Sequence, residues 1–155
     1  MKKKMLLGLL VAVPLLTACG SNGGSNGGSA VSGNTITCEY KSSGTSEGYI
    51  FAFDKNDKLA ELSMFEELIL DEVDFSDDYI GCSSKEECLK NAESYKEECS
   101  NDSDFENCRV ETTDNTITVI GDYTSASLEA NKYYTKGMTK DEIKKQAKED
   151  GLTCR

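Results

Sequence analysis

Hydrophobic and polar side chains alternate along the chain from residue 34 onward, as they do in half-buried β-strands. The segment 34–41 places Ile36 and Cys38 on one face and threonines on the other, and the apolar run 49–53 follows the turn-rich segment 42–48. A period of two with β-branched residues is typical of strands. These segments therefore predict two consecutive strands.

The third apolar segment, about 58–70, fits both a strand and a helix. Leu62, Phe65 and Ile69 lie at the spacing of one helical face. The polar turn 54–57, however, connects the segment directly to the second strand, as in a β-hairpin. We interpret the segment as a strand for that reason.

A helix start signal opens the second half of the chain. Ser84, with Glu87 three positions later, forms a capping box, and the helix is predicted to run to about Cys99. After it, residues 109–113 and 116–122 alternate threonines with aliphatic side chains. This alternation predicts a β-hairpin.

Two further helices and a short strand complete the predicted order. A short helix is expected over about 125–134, and a second begins at Thr139 with Glu142 as its capping-box partner. Gly151 ends that helix, and 152–154 returns to the sheet. The order β-β-β-α-β-β-α-α-β predicts an α+β fold, an antiparallel sheet of about five to six strands with two to three helices packed on it.

A secretory signal precedes the predicted domain. Lys2, Lys3 and Lys4 are followed by the apolar run 5–16 and by small residues at a cleavage site, which is the layout of a signal peptide. The apolar run is shorter than the roughly 20 residues that span a bilayer.

The cleavage site ends in cysteine, and Leu16-Thr17-Ala18-Cys19 resembles the lipobox of bacterial lipoproteins. The resemblance implies that residues 1–18 are removed and that Cys19 takes a diacylglycerol and anchors the protein to the cell membrane, on the extracytoplasmic face. The alternative is an ordinary signal peptide with a chance cysteine. Residues 19–32 are rich in Gly, Ser and Asn and predict a flexible tether, and 33–155 is one domain.

The chain is acidic. It has 17 basic and 28 acidic residues, a net charge of −11, and removal of three signal-peptide lysines leaves 14 against 28, or −14. Such a surface repels nucleic acid and anionic lipid headgroups, so neither is an expected partner of the folded domain. It suits a soluble envelope domain, or one that attracts cations or basic ligands.

The absence of histidine from the chain restricts its chemistry. It excludes a Ser-His-Asp triad, a Cys-His pair and the usual zinc sites. We therefore expect a non-catalytic protein without catalytic residues or cofactor, which binds a protein, peptide or glycan. The alternatives are a carboxylate-dependent enzyme or accessory that acts on envelope polymers, and a structural spacer without a specific ligand.

An even set of cysteines remains once Cys19 is assigned to the lipid. In an exported domain such a set predicts disulfide bonds, which persist outside the cytoplasm. A metal or redox cluster is the alternative, but no Cys-x-x-Cys pair is present. The remaining cysteines are Cys38, Cys82, Cys88, Cys99, Cys108 and Cys154.

Helix geometry restricts the pairing. Cys88 and Cys99 lie on one predicted helix, about 16 Å apart along its axis, whereas a disulfide requires Cα atoms within about 7 Å. The predicted pairs are Cys82–Cys88 at the helix start, Cys99–Cys108 at the helix exit and Cys38–Cys154 between the first and last strands.

Acidic residues are the first candidates for ligand binding, because calcium prefers oxygen ligands. The turn at Asp54 begins like an EF-hand loop, but Leu59 and Phe65 stand where that loop needs glycine and glutamate. We therefore assign no metal site and interpret the acids as solvated surface. They are Glu66, Glu67, Asp71, Glu72, Asp74, Asp77, Asp78, Asp102, Asp104 and Glu106.

Tyrosines are the second candidates. In one interpretation they line a groove for a carbohydrate or peptide. In the other their rings belong to the hydrophobic core and their hydroxyl groups reach solvent. The tyrosines are Tyr40, Tyr49, Tyr79, Tyr95, Tyr123, Tyr133 and Tyr134.

The order of these features resembles that of the YehR-like family of small bacterial lipoproteins over about 35–154. The shared features are the lipobox, the Asp57-Lys58 turn before a long strand, the Ser84 helix, Asp122-Tyr123-Thr124 before a short helix, and a capped helix ending at Gly151. The resemblance implies an anchored envelope domain of uncharacterised activity and supplies no catalytic residue. The six further cysteines depart from the family's pattern.

Overall fold

The computed structural model describes residues 34–76 and 80–155. The predicted signal peptide, Cys19 and the tether lie outside the described residues, as do Asp77, Asp78 and Tyr79. Among the helices of the described ranges, none has the length and apolar character needed to cross a membrane.

The described residues form one six-stranded antiparallel sheet with three helices, which confirms the α+β prediction. The strands lie in the order β4-β5-β3-β2-β1-β6. Their bounds are β1 Thr35–Ser42, β2 Thr45–Phe53, β3 Leu59–Ile69, β4 Phe105–Thr112, β5 Thr116–Tyr123 and β6 Thr153–Cys154. The helices are α1 Lys85–Ser100, α2 Ser125–Ala130 and α3 Lys140–Glu149.

The ambiguous third segment is a strand. It pairs with β2 along one side and with β5 along the other, so its backbone groups are satisfied by neighbours on both sides. A helix would leave β2 and β5 without hydrogen-bonding partners on the sides that now pair with β3.

Three predicted boundaries differ from the structure by several residues. β2 begins at Thr45 rather than at residue 49, because Gly44 has φ +74° and completes a tight turn after Ser42. β4 begins at Phe105, ahead of the predicted residue 109, because Phe105 pairs with the end of β5. α2 ends at Ala130, where Asn131 begins a turn.

The helices pack on one face of the sheet in two groups. One hydrophobic cluster lies between the sheet and α2 and α3, with Phe51, Leu62, Leu128 and Ile143 among its buried members. A second cluster lies under α1 and includes Leu68, Cys88, Ala92 and Ile117. On the opposite face, Phe65 and Ile120 are buried together, with Ile50 packed against them.

The middle of the helix-bearing face lies between these two clusters. Side chains alternate between faces along a strand. The register pairs Tyr49 with Met64 and Met64 with Gly121, so these three positions follow one another across the same face. The candidate site is built on them.

Three disulfides join the cysteine pairs predicted from the sequence. Cys82–Cys88 closes the start of α1, and Cys99–Cys108 connects its end to β4. Cys38–Cys154 joins two residues that face each other in β1 and β6. Strand β6 is therefore held to the first strand by both backbone pairing and a disulfide.

Candidate functional site: a tyrosine-lined groove

Three depressions adjoin on the helix-bearing face and share lining residues. The first, of about 300 Å³, lies beside α1 and shares Met64 with the second and Tyr123 with the third. The second and third, of about 420 and 520 Å³, meet at Tyr133. We call the three together the tyrosine groove, after the tyrosines that line it, Tyr49, Tyr95, Tyr123, Tyr133 and Tyr134.

The five tyrosines reach the groove from four parts of the chain. Tyr49 lies on β2, Tyr95 on α1 and Tyr123 at the end of β5. Tyr133 and Tyr134 lie in the turn after α2, where the Asn131 side chain accepts hydrogen bonds from both of their backbone N–H groups. The groove therefore depends on the pairing of the strands and on this turn.

Tyr134 is held firmly by its neighbours. Its ring centroid lies 4.9 Å from that of Phe51 and 5.2 Å from that of Tyr49, and its hydroxyl donates a 2.7 Å hydrogen bond to Asp150. Only 2% of the residue is exposed, whereas 65% of the adjacent Tyr133 is exposed. A buried, fixed ring and a solvent-exposed ring are thus adjacent in the chain at the groove.

Two glycines allow the backbone to approach closely in the floor of the groove. A Cβ atom at Gly48 would lie 1.9 Å from the carbonyl oxygen of Cys38. A Cβ atom at Gly121 would lie 2.9 Å from the Phe105 ring and 3.0 Å from Cys99 Sγ. Both positions therefore require glycine, and the second brings the Cys99–Cys108 disulfide against the sheet.

Negative charge dominates the lining. Its carboxylates outnumber its only lysine, Lys132, by six to one. They are Glu47, Glu66, Glu98, Asp102, Asp104 and Asp150.

Tyr49, Tyr123 and Tyr134 have raised pKa values, first because of burial and then because of neighbouring groups. Burial and then the nearby carboxylates Glu47 and Asp150 raise the pKa of Tyr49. Burial, with Asp104 and Asp102 close by, likewise raises the pKa of Tyr123. For Tyr134, burial and the hydrogen bond to Asp150 raise the pKa. These hydroxyls remain protonated hydrogen-bond donors at neutral pH.

The structure brings together five of the seven tyrosines named from the sequence. Tyr40 is half exposed but lines none of the three depressions, and Tyr79 lies outside the described residues. Tyr134 belongs to the core, as the second interpretation has it, whereas Tyr133 is exposed at the surface. Met64 and Gly121 were not predicted from the sequence, since only strand register places them in the groove.

Among the described residues, the acidic stretches named from the sequence form no metal-binding cluster, although Glu66, Asp102 and Asp104 line the same depression. Asp71 forms an ion pair with Lys85, Asp74 accepts hydrogen bonds from Ser76, and Asp104 accepts one from Ser127. Over residues 34–76 and 80–155, no three carboxylate, cysteine or histidine side chains come close enough together to hold a metal ion.

Comparisons of this chain with protein-family models, with curated proteins and with solved structures find no match.

Proposed function

We propose that this protein is a lipid-anchored lipoprotein of the cell envelope, of the YehR-like kind, whose domain binds a ligand in the tyrosine groove without catalysis. The groove carries the proposal, because it presents Tyr133 beside the immobilised Tyr134. A tyrosine side chain has few rotatable bonds, so an exposed one provides contact area with little loss of conformational entropy on binding.

The disulfides support this assignment to the envelope. All six cysteines of the domain form disulfides, and such bonds persist in oxidising compartments and are rare in the cytosol. The lipobox-like segment ending at Cys19 supplies the anchor in this proposal.

The anchor is tested with Cys19→Ala and radiolabelled palmitate in cells. We expect the parent to incorporate the label and to sediment with membranes, and we expect the variant to lose both properties. A parent without label, together with a full-length Cys19→Ala protein that sediments equally well, would contradict the lipoprotein assignment.

The groove is tested by photo-crosslinking in living cells. A photoreactive amino acid replaces Tyr133 in one strain and Tyr40 in another, because both side chains are exposed and only Tyr133 lines the groove. We expect a discrete adduct from position 133 and none from position 40. Adducts of equal yield from both positions, or from neither, would refute a binding role for the groove.

Catalysis is tested on the same envelope material. We expect purified protein to release no fragments from isolated envelope polymers. Release that is lost on Glu47→Gln or Glu98→Gln would instead establish a carboxylate-dependent enzyme.

A further inference from the structure

The basic side chains that form ion pairs among the described residues form them away from the groove. Among the described residues, ion pairs occupy Lys85, Arg109, Lys140 and Arg155, and their acidic partners all lie outside the groove lining. Within the same part of the chain, no ion pair reaches Glu47, Glu98, Asp102, Asp104 or Asp150. With six carboxylates against Lys132 in its lining, the groove therefore carries a net negative charge.

The carboxylates are spread along the groove rather than gathered at one point. Glu98 lines the first depression, Glu47 and Asp150 line the second, and Asp104 lines the first and third. This spacing suits a ligand with several separate positive charges, because each charge can approach a different carboxylate. A single metal ion needs its ligands within one coordination sphere.

Aromatic faces lie among these carboxylates. Tyr133 is exposed where the second and third depressions meet, and Tyr123 lies where the first and third meet. An ammonium or guanidinium group is attracted to the face of a tyrosine ring, and guanidinium also stacks on it. Acidic and aromatic groups in the same groove thus favour the same kind of ligand.

We infer that the ligand of the tyrosine groove is a cationic peptide segment, with lysine or arginine side chains that meet its carboxylates and pack on its tyrosine rings. The inference rests on the proposed binding function and specifies its ligand class. A peptide fits three adjoining depressions because successive side chains enter neighbouring ones. Charge complementarity of this kind increases the association rate and excludes acidic partners.

The inference is tested with the full-length protein in neutral detergent and a decapeptide that alternates lysine and glycine. Calorimetry should detect binding at low salt that weakens about tenfold or more between about 50 and 300 mM NaCl, since salt screens exposed charges. The same peptide with acetylated lysines should not bind.

A charge-matched pair of variants separates the groove from net charge. Glu47→Gln/Glu98→Gln removes two exposed carboxylates of the groove, and Glu93→Gln/Asp114→Asn removes two exposed carboxylates elsewhere. We expect the first variant to weaken peptide binding about three- to tenfold and the second to weaken it less than about twofold. Equal weakening by both variants would show that the peptide responds only to overall charge and would overturn the inference.

Two further outcomes distinguish this inference from the proposed function. A neutral oligosaccharide or acetylated peptide that binds tightly, and is released by Tyr133→Ala but not by Tyr40→Ala, would overturn the cationic ligand and leave the binding function standing. A free polyamine that binds as tightly as the lysine peptide would overturn the assignment to a peptide.

Discussion

Tyr133 and Tyr134 are adjacent in the sequence and have opposite surroundings. Tyr134 packs against Phe51 and hydrogen-bonds to Asp150, while Tyr133 points into solvent at the meeting of two depressions. Both residues are tyrosine, so their side chains have the same amphipathic character. The turn at Asn131 decides which ring enters the core.

We expect Tyr134→Phe to lower the free energy of unfolding at pH 7 by about 1 kcal/mol, because it removes a hydrogen bond to Asp150 while keeping the ring contacts. The pKa of Tyr134 is raised above the ordinary value of 10.0 in the folded protein. Its neutral form therefore contributes stability that is complete below about pH 10 and is lost as the pH rises further. Urea unfolding between pH 7 and 11 should show a shallower alkaline loss for the variant.

Tyr133→Phe is the matched control for this prediction. Its ring is 65% exposed, so the free energy of unfolding at pH 7 should stay within about 0.5 kcal/mol of the parent. Identical alkaline curves for the parent and Tyr134→Phe would show that the Tyr134–Asp150 contact contributes nothing.

At the scale of elements, local signals predicted helix starts more accurately than strand starts. Ser84 and Thr139 both cap helices as predicted, and the Thr139–Glu142 capping box is complete. A cap acts within four residues, so it can be recognised in the sequence. The start of β4 at Phe105 depends instead on pairing with Tyr123, which no local pattern contains.

The capping box of α3 gives a prediction at this scale. Thr139→Ala should lower the free energy of unfolding by about 1 kcal/mol, because the Glu142 backbone N–H loses its acceptor. Hydrogen bonds from the Thr139 backbone N–H and hydroxyl lower the pKa of Glu142 below its usual 4.5. That contribution is present above about pH 4.5 and is lost as the pH falls through the lowered value.

Thermal unfolding between pH 7 and 2.5 measures this acid dependence. Glu142→Gln keeps a side-chain acceptor for the cap and should flatten the acid limb. Asp141→Asn removes a charge from the same turn and should leave that part of the curve in place. If both variants change the acid part of the curve equally, the loss of stability at low pH comes from charge near the start of the helix rather than from the Thr139–Glu142 capping box.

For the whole molecule, Cys38–Cys154 has the largest effect on chain entropy among the three disulfides. It joins residues 116 apart, whereas Cys82 and Cys88 are 6 apart. In the chain-entropy model the loss of the first pair costs about 5 kcal/mol and the loss of the second costs about 2 to 3 kcal/mol. The Cys38–Cys154 disulfide therefore contributes the most stability to this domain, whose core is modest.

Double serine variants of the two pairs test this order, with urea unfolding of oxidised protein as the measurement. We expect Cys38→Ser/Cys154→Ser to be less stable than Cys82→Ser/Cys88→Ser by about 2 kcal/mol. The reverse order would show that closing the start of α1 contributes more than restraining the unfolded chain.

The sequence by itself determined the order of the elements, the α+β class and the disulfide pairing. Helix caps, the alternation of polar and apolar side chains, and the separation of Cys88 from Cys99 on one helix can all be recognised from residues close together in the sequence. The structure agrees with each of them. The pairing followed from the exclusion of Cys88–Cys99 on one helix, from the position of Cys82 just before that helix and from the short loop between Cys99 and Cys108.

Only the tertiary structure decided where the groove lies and which side chains line it. Its floor joins Tyr49, Met64 and Gly121, which come from three strands and become neighbours through the registers of two strand pairs. Its charge depends on ion pairs elsewhere that occupy basic side chains such as Lys85. Strand register and ion pairing depend on residues far apart in the chain, so no local pattern of side chains contains them.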